Sequence, residues 1–271
     1  MKKVTIIGSG NIGLSLAKGL VNKSYCSAGN ITLTRRNLKH LSAQSAEGYL
    51  ISDNNAEAIK GADIIVLAVL PQQLNEVIGQ LAKTIIPDKQ LVVSVVSGAT
   101  CQNIKSQLGN TIEVVRAMPN TAISIGQSMT CIAGDDAAAE SIAEVASLFK
   151  TVGSIIKINE ELMTAATALC ACGIAFFLRS IRAASQGGVE VGFHADEALK
   201  MAIQTAKGAA DLLLQMQSHP ESEIDKVTSP KGCTIAGLNE MEHNGFSSSM
   251  IKGIKLSAQK AGGLYQNENK L

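Results

Sequence analysis

The chain has 271 residues, with 24 Lys and Arg against 23 Asp and Glu, and a formal net charge of +1. This length can form two domains with buried cores, and the balanced charge argues against a nucleic-acid or membrane-surface partner. Trp is absent and only three Tyr and five Phe are present, so few side chains can stack on single-stranded nucleic acid.

The chain starts with an apolar run over residues 4–7 and a helical pattern over residues 11–21, joined by a loop with the spacing GxGxxG. The loop residues are Gly8, Ser9, Gly10, Asn11, Ile12 and Gly13. In dinucleotide-binding folds such glycines allow a tight turn, close approach of a pyrophosphate and close packing of helix on strand, while the helix N-terminus offers free N–H groups. We predict a dinucleotide site here; the alternative is a glycine turn that binds no ligand.

The second predicted strand, residues 31–34, ends in Thr34, Arg35 and Arg36, and a short helix is predicted over residues 38–44. NAD-binding chains place an acidic residue at this point to hold the ribose 2′-hydroxyl, whereas no acidic residue precedes Glu47 here. Two guanidinium groups and a hydroxyl suit a 2′-phosphate. We therefore predict that NADP(H) is preferred over NAD(H); the alternative is a solvated loop.

Strands are next predicted over residues 62–69 and 91–96, each followed by a helix, over residues 72–83 and 101–108. This alternation predicts a parallel sheet with crossover helices, and the run 62–69, apolar apart from Asp63, should lie near its centre. Ligands bind at the carboxyl ends of such strands. The additional candidate cofactor contacts are Asn55, Ala68, Val69, Pro71, Ser97 and Gly98. Asn55 alternatively caps a helix.

Strands at residues 112–116, 128–133 and 154–158, with a helix over residues 137–150, complete a predicted Rossmann-like, doubly wound domain over residues 1–158. Beyond this point Ala-rich helical patterns cover residues 160–186, 195–216, 221–227, 235–243 and 247–261. They predict an all-helical domain over residues 159–271 that packs against a second copy of itself. The tail after Gly262 is predicted to be disordered.

Two features of the sequence bear on location. Residues 162–178 are uncharged and near the lower length limit for a membrane span, but their Ala, Thr, Cys and Gly content predicts a helix packed inside a protein assembly. The six cysteines are scattered and no signal peptide is predicted, which indicates a reducing, cytoplasmic compartment. Cys170 and Cys172 are interpreted as small buried apolar side chains, and no metal site is predicted.

Two later segments resemble signatures of the pyrroline-5-carboxylate reductase family. Residues 115–121, Val-Arg-Ala-Met-Pro-Asn-Thr, are similar to its RxMPNTP, and residues 228–238 are similar to its TSPGGTTxxGL. The likeness is collinear, since residues 68–71 match AVKP and residues 94–98 match SVxAG. The chain departs from the family at Leu70, Lys231 and Cys233, and has Cys-Ala-Cys-Gly-Ile-Ala at residues 170–175 for SGSGPA.

The resemblance implies reduction of the cyclic imine 1-pyrroline-5-carboxylate to proline, the last step of proline biosynthesis, in a homodimer or a ring of dimers joined through the helical domain. It places the substrate beside the nicotinamide. The implied substrate-binding residues are Ser229, Gly232, Cys233 and Thr234. If a helix begins at Thr234, this loop presents amides and hydroxyls to the substrate carboxylate.

Thr234 and Asn120 are the candidate catalytic residues, Thr234 to orient the ring and Asn120 as an amide of the nicotinamide pocket. The alternatives are a plain N-cap for Thr234 and an Asx turn for Asn120. Lys231 either attracts the carboxylate or faces solvent.

Two other functions stay open at this stage. One is an NADP-linked reductase of a keto or hydroxy acid, which usually needs a Lys or His proton donor in the first C-terminal helix; residues 163–178 contain neither. The other is a non-catalytic dinucleotide-binding sensor.

Overall fold

A computed structural model describes residues 2–134 and 137–265. An eight-stranded sheet has the strand order β3-β2-β1-β4-β5-β6-β7-β8, and neighbouring strands are parallel except β6 and β7, which are antiparallel. The strands are β1 (Val4–Ile7), β2 (Ile31–Thr34), β3 (Leu50–Ser52), β4 (Ile64–Leu67), β5 (Leu91–Ser94), β6 (Glu113–Met118), β7 (Ser128–Ala133) and β8 (Gly153–Lys157).

Twelve α-helices lie within the described residues. They are α1 (Asn11–Asn22), α2 (Ser42–Ala46), α3 (Asn55–Ala58), α4 (Leu74–Leu81), α5 (Cys101–Leu108), α6 (Ala139–Lys150), α7 (Met163–Ala166), α8 (Gly173–Glu190), α9 (Ala195–Met216), α10 (Pro220–Lys226), α11 (Cys233–His243) and α12 (Phe246–Gly262). A π-helical turn, Thr167–Cys172, joins α7 to α8.

Hydrophobic cores cover both faces of the sheet. In β4, Ile64 and Val66 belong to one core, whereas Ile65 and Leu67 belong to the other. Alternate residues of a strand point to opposite faces, so a strand that is apolar throughout must be covered on both sides. β4 pairs with β1 on one side and β5 on the other, which confirms the central position predicted for it.

The Rossmann-like fold with a following helical part is confirmed, with three differences of detail. The three-residue β3 was not predicted, because so short a run shows no recognisable alternation, and the four-residue α3 was anticipated only as a helix that Asn55 could begin or cap. The antiparallel pairing of β7 with β6 also differs from the parallel expectation. The predicted helix 160–186 is a continuous helical stretch, 160–190, that contains 3-10, α and π turns.

The chain divides into two compact units that differ from its division by sequence pattern. The first comprises residues 1–172 and 255–271, and the second comprises residues 173–254. Residues 160–172, which are the first turns of the helical part, and the end of α12 therefore belong to the same unit as the sheet, although their sequence pattern is helical. The boundaries of the two units, judged from their packing, therefore differ from the boundary at residues 158 and 159 that the sequence pattern predicts.

The second unit is centred on the antiparallel pair α8 and α9. A Cβ atom on Gly188 would lie 2.9 Å from the Cβ of Ala198, so a glycine at this position lets the two helices approach closely. Apolar side chains on both helices remain exposed, among them Phe177, Leu178 and Leu214. By length and composition alone, the stretch 160–190 could cross a membrane, and only 28% of its most apolar window is buried within the chain.

The tail predicted to be disordered is ordered as far as the structure describes it. Tyr265 is buried and its hydroxyl donates to Asn75 Oδ1 at 2.7 Å and accepts from Gln107 Nε2 at 3.1 Å. The prediction was therefore wrong for residues 263–265, because the partners of Tyr265 lie far away in sequence. Residues 266–271 lie outside the described residues.

Candidate functional site

A cleft of about 710 Å³ lies at the carboxyl edge of the sheet, beside the strands β1, β2 and β4. Strand order reverses between β1 and β4, and such reversals leave a crevice in which α/β proteins bind ligands. The cleft is lined by Ile7, Gly8, Ser9, Gly10, Asn11, Ile12, Thr34, Arg35, Arg36, Asn37, His40, Asp53, Asn55, Ala68, Val69, Leu70, Gln73, Val77 and Val95. Four other candidate cofactor contacts from the sequence do not line this cleft: Gly13, Pro71, Ser97 and Gly98.

The glycine loop is packed too tightly for side chains at two of its three glycines. Gly8 has φ +95°, and a Cβ atom there would clash with the carbonyl oxygen of Ala68. A Cβ on Gly13 would clash with the carbonyl oxygen of Gly8. Gly10, which precedes the first residue of α1, has open space at the Cβ position. The loop therefore sits against β4 and leaves room above Gly10 and the first turn of α1.

Ser9 carries an unsatisfied polar group in this loop. Its backbone N–H donates to Thr34 O at 3.1 Å, and the residue is buried, yet its Oγ has no hydrogen-bond partner among the described residues. A buried hydroxyl without a partner is costly. A phosphate oxygen at the N-terminus of α1 would satisfy it, so the residues present fit a dinucleotide.

The two arginines have different surroundings. Arg35 Nη1 donates to Ser9 O at 3.2 Å, and its backbone N–H donates to Ser52 O at 3.1 Å, so Arg35 ties the glycine loop to β3. Arg36 Nη2 forms an ion pair with Glu76 Oε2 at 3.0 Å, and its side chain is 75% exposed. Arg36 is therefore the arginine that can turn toward a ligand by giving up only an exposed ion pair.

Asn55 lines the cleft but does not cap α3. The N-cap is Asn54, whose side chain accepts from Glu57 N, whereas Asn55 Nδ2 donates to Gln80 Oε1 at 2.7 Å. The alternative interpretation of Asn55 as a helix cap was therefore wrong by one residue.

The cleft is also lined by four polar residues that were not predicted from the sequence: Asn37, His40, Asp53 and Gln73. Asp53 directly follows β3, so prediction of that strand would have identified it by the rule for carboxyl ends. No comparable sequence signal marks His40, which lies in a short 3-10 helix after β2.

The side chain of Asn120 is engaged at both ends. Its Oδ1 accepts from Ala122 N at 3.1 Å, the Asx-type turn that was one of the two interpretations, and its Nδ2 donates to Cys170 O at 3.3 Å. Asn120 thereby links the turn after β6 to the π-helical turn. These two hydrogen bonds favour the interpretation of Asn120 as a residue that holds the turn after β6 in place.

A buried ion pair lies close to the same strand. Arg116 Nη1 is 3.2 Å from Glu160 Oε1, and both side chains are largely buried. The same carboxylate oxygen accepts from Cys101 N at 2.7 Å. Burial, together with the charge of Glu160, raises the pKa of the Cys101 thiol to about 12, so Cys101 stays protonated at neutral pH.

The loop before α11, residues 228–232, belongs to the second unit. Helix α11 begins at Cys233 with Gly232 as its N-cap, so the expectation that the helix begins at Thr234 was wrong by one residue, and Thr234 is not the N-cap. Gly232 N donates to Ser229 O at 2.9 Å, which closes a turn around Lys231. Thr234 therefore lies in the first turn of the helix, half-buried, and Cys233 is exposed.

The cysteine pair predicted to be buried is instead half-buried: Cys170 and Cys172 are both partly accessible. Within residues 2–134 and 137–265, no group of three or more His, Cys, Asp or Glu side chains is placed to hold a metal ion.

Known proteins match this chain over nearly its whole length. Residues 160–264 match the family model of the pyrroline-5-carboxylate reductase dimerisation domain, and residues 3–98 match a model described as NADP oxidoreductase, coenzyme F420-dependent. A solved structure of a pyrroline-5-carboxylate reductase from Coxiella burnetii superposes with a TM-score of 0.90 at 27% identity, and the match covers 98% of this chain and 99% of that one.

Two curated relatives come from Dictyostelium discoideum. Pyrroline-5-carboxylate reductase 1 is 48% identical over 97% of this chain, which spans half the length of that relative. Pyrroline-5-carboxylate reductase 2 is 44% identical over 100% of this chain and 95% of its own length. The chain belongs to the pyrroline-5-carboxylate reductase family.

Proposed function

We propose that this protein reduces 1-pyrroline-5-carboxylate to proline, with NADPH preferred over NADH, as the last step of proline biosynthesis. The observation that carries the proposal is the cleft at the strand-order reversal, with its glycine loop and arginine pair, in a chain of this family. When bound, the cofactor supplies a hydride to the imine carbon. The protein's own residues bind and orient the two molecules, which is most of the work in such a reaction.

The cofactor contacts are proposed from the cleft. The N-terminus of α1 and the unpartnered Ser9 Oγ hold the pyrophosphate, with Gly10 leaving space for its approach. Thr34, Arg35 and Arg36 lie where the adenosine 2′-phosphate would bind, and charge-assisted hydrogen bonds from guanidinium groups give the preference for NADPH. Arg36 carries most of this discrimination, because Arg35 also supports the loop itself.

The substrate contacts are proposed from the loop before α11. The Cys233 amide and the Ser229 hydroxyl receive the substrate carboxylate near the N-terminus of an eleven-residue helix, and Gly232, whose amide donates to Ser229 O, shapes the turn beside them. The Thr234 hydroxyl, on the first turn, donates to the ring nitrogen and orients the ring. Asn120 acts as a positioning residue that fixes the turn after β6 on the nicotinamide side.

The assembly is proposed to be a homodimer, or a ring of dimers, formed through the C-terminal helices. The match of residues 160–264 to a dimerisation domain supports an oligomer. The exposed apolar side chains of α8 and α9 are unfavourable in water, and contact with a second copy of the chain would bury them without a membrane. We therefore propose a protein that works in the cytoplasm rather than in a membrane.

Turnover of the wild-type chain and the variant Thr234→Ala tests the proposal. NADPH oxidation is followed with 1-pyrroline-5-carboxylate, with a 2-keto acid and with neither, and proline is identified as the product. We expect turnover with the imine alone. Turnover of the keto acid alone would instead indicate a keto-acid reductase, and NADPH binding without any turnover would indicate a sensor.

For Thr234→Ala we expect kcat/KM for the imine to fall by about tenfold or more, since a hydrogen bond to the reacting ring is lost. Affinity for NADPH should be unchanged. Thr234→Ser keeps the hydroxyl and should restore most of the activity. Equal activity of the Ala and Ser variants would show that the Thr234 hydroxyl does not contribute to the reaction.

A further inference from the structure

Two cysteines from different elements meet beneath the turn that Asn120 holds. Cys131 lies in β7 and Cys170 in the π-helical turn, and their sulfur atoms are 3.8 Å apart although the residues are 39 positions apart in sequence. We propose that these two thiols form a reversible disulfide, and that the oxidised protein is a slow reductase. The regulatory part of this proposal rests on the proposed function; the disulfide itself does not.

The distance suits a disulfide that forms after a small movement. A disulfide has an S–S length of about 2.05 Å, so the sulfur atoms must approach by about 1.8 Å, which side-chain rotation and a small shift of the turn can supply. The partner that moves is Cys170, because it lies in a π-helical turn, a local irregularity of the helix, and is not held in the sheet. Cys131 is held in a strand with neighbours on both sides.

Access differs between the two thiols and sets the order of reaction. Cys131 is 3% exposed, whereas Cys170 is partly accessible to solvent. Burial and the neighbouring Cys170 also raise the pKa of Cys131 to about 12, so Cys131 is a protonated thiol at neutral pH. Cys170 therefore meets the oxidant first, and Cys131 is the thiol that resolves the product.

A peroxide is the class of oxidant that fits this order. The Cys170 sulfur attacks one peroxide oxygen, the O–O bond breaks, and a sulfenic acid and one water form. The Cys131 sulfur then attacks the Cys170 sulfur, the S–O bond breaks, and the hydroxyl leaves as a second water with the Cys131 proton. Two electrons pass from the two thiols to the peroxide, and a dithiol reverses the change.

The consequence for activity follows from the Cys170 carbonyl, which accepts from Asn120 Nδ2 at 3.3 Å. Drawing Cys170 toward β7 pulls that carbonyl away from Asn120 and loosens the turn after β6. Cofactor affinity should be preserved, because the glycine loop and the arginines follow β1 and β2 at another part of the sheet. The oxidised protein should thus bind NADPH normally and turn over slowly.

The disulfide is tested on the full-length protein by peptide mapping. Reduced protein is treated with hydrogen peroxide, free thiols are alkylated, and peptides are identified by mass spectrometry. We expect a peptide pair linked through Cys131 and Cys170, which disappears after dithiothreitol. Cys172→Ser, two residues away and also partly accessible, is the matched control and should give the same linked pair, whereas Cys131→Ala and Cys170→Ser should not. Absence of the linked pair in the wild type, or its replacement by a Cys170–Cys172 link, overturns the proposal.

Activity is then measured on the same samples, with NADPH affinity measured alongside. We expect kcat/KM to fall by about tenfold or more on oxidation, since misplacing a positioning group costs one to two orders of magnitude, and dithiothreitol should restore it. Cys131→Ala, confirmed as folded by circular dichroism and NADPH binding, should keep its activity in peroxide. Full activity of the cross-linked protein overturns the regulatory role. A linked pair in a protein that never reduces the imine would contradict the proposed function and leave the disulfide established.

Discussion

Lys231 occupies a backbone conformation that favours glycine. Its φ is +59°, in the left-handed region, at a position where the family signature that the sequence resembles has Gly. A side chain there costs roughly 1–2 kcal/mol, of which a glycine recovers part after its own entropy cost. The departure from the signature is therefore a strained one, in the loop before α11.

We expect Lys231→Gly to stabilise the protein by about 0.5–1 kcal/mol in chemical denaturation, because it relieves this strain. Lys231→Ala removes the same charge and keeps the strained φ, so it should leave the stability unchanged. If both variants raise the KM for the imine equally, the lysine charge attracts the substrate carboxylate. Equal stability of the two variants would contradict the strain argument.

Arg36 is expected to distinguish NADPH from NADH. Replacing it by Ala removes one or two charge-assisted bonds to the 2′-phosphate, worth about 1.5–3 kcal/mol each, so Kd for NADPH should rise by at least about tenfold while Kd for NADH changes little. Its ion pair with Glu76 is exposed and weak, so it does not hold the arginine back.

Arg35→Ala should weaken both cofactors, because Arg35 also holds Ser9 O, and replacing both arginines should weaken NADPH binding by about two orders of magnitude. Lys39→Ala is the matched control, since it removes a nearby charge that does not line the cleft. These affinities are measured by fluorescence titration or calorimetry. An equal loss for both cofactors in Arg36→Ala would refute its assignment.

At the scale of elements, the end of α12 is docked against the loop that follows β5. Gly98 has φ +84°, and a Cβ atom there would lie 2.9 Å from Tyr265 N and 3.1 Å from Ala261 O. The loop that follows a central strand is thereby held by a residue 167 positions later in the chain. The last helical turn therefore helps to position a loop at the carboxyl edge of the sheet.

Gly98→Ala is expected to be more destabilising than Gly61→Ala. Both glycines have positive φ, so each Ala variant pays roughly 1–2 kcal/mol for its backbone conformation. Only at Gly98 does the added methyl group also press on a neighbouring segment, since nothing lies within 4 Å of a Cβ on Gly61. We expect the excess cost of Gly98→Ala to be about 1–3 kcal/mol in denaturant unfolding. Equal costs would show that the docking of α12 contributes nothing.

The long elements and the glycine loop were predictable from the sequence because their signals are local. The strand β4 is apolar at every position, and the GxGxxG spacing identifies the loop after β1. The three-residue β3 carries no such period, and with it Asp53 was missed. The contacts of Tyr265 with Asn75 and Gln107, and of Asn120 with Cys170, join residues 50 to 190 positions apart. No local pattern encodes such pairs.

At the scale of the whole molecule, the exposed apolar faces of α8 and α9 predict association. Leu214 is 77% exposed in a single chain. We expect Leu214→Asp to shift the protein from dimer or larger ring to monomer in size-exclusion chromatography with light scattering, because a buried charge at an apolar interface is costly. Gln204→Asp places the same charge at an exposed polar position of α9 and should not change the mass. A wild-type chain that is monomeric would contradict the proposed assembly.

NADPH is proposed to bind in the cleft after β1 and β2. A crystal structure of the protein with NADPH tests it most directly. We expect the pyrophosphate against Ser9, Gly10 and the N-terminus of α1, and the 2′-phosphate within hydrogen-bond distance of Arg36. NADPH bound elsewhere on the chain, or a cleft that stays filled by another part of the polypeptide at saturating NADPH, would contradict the account.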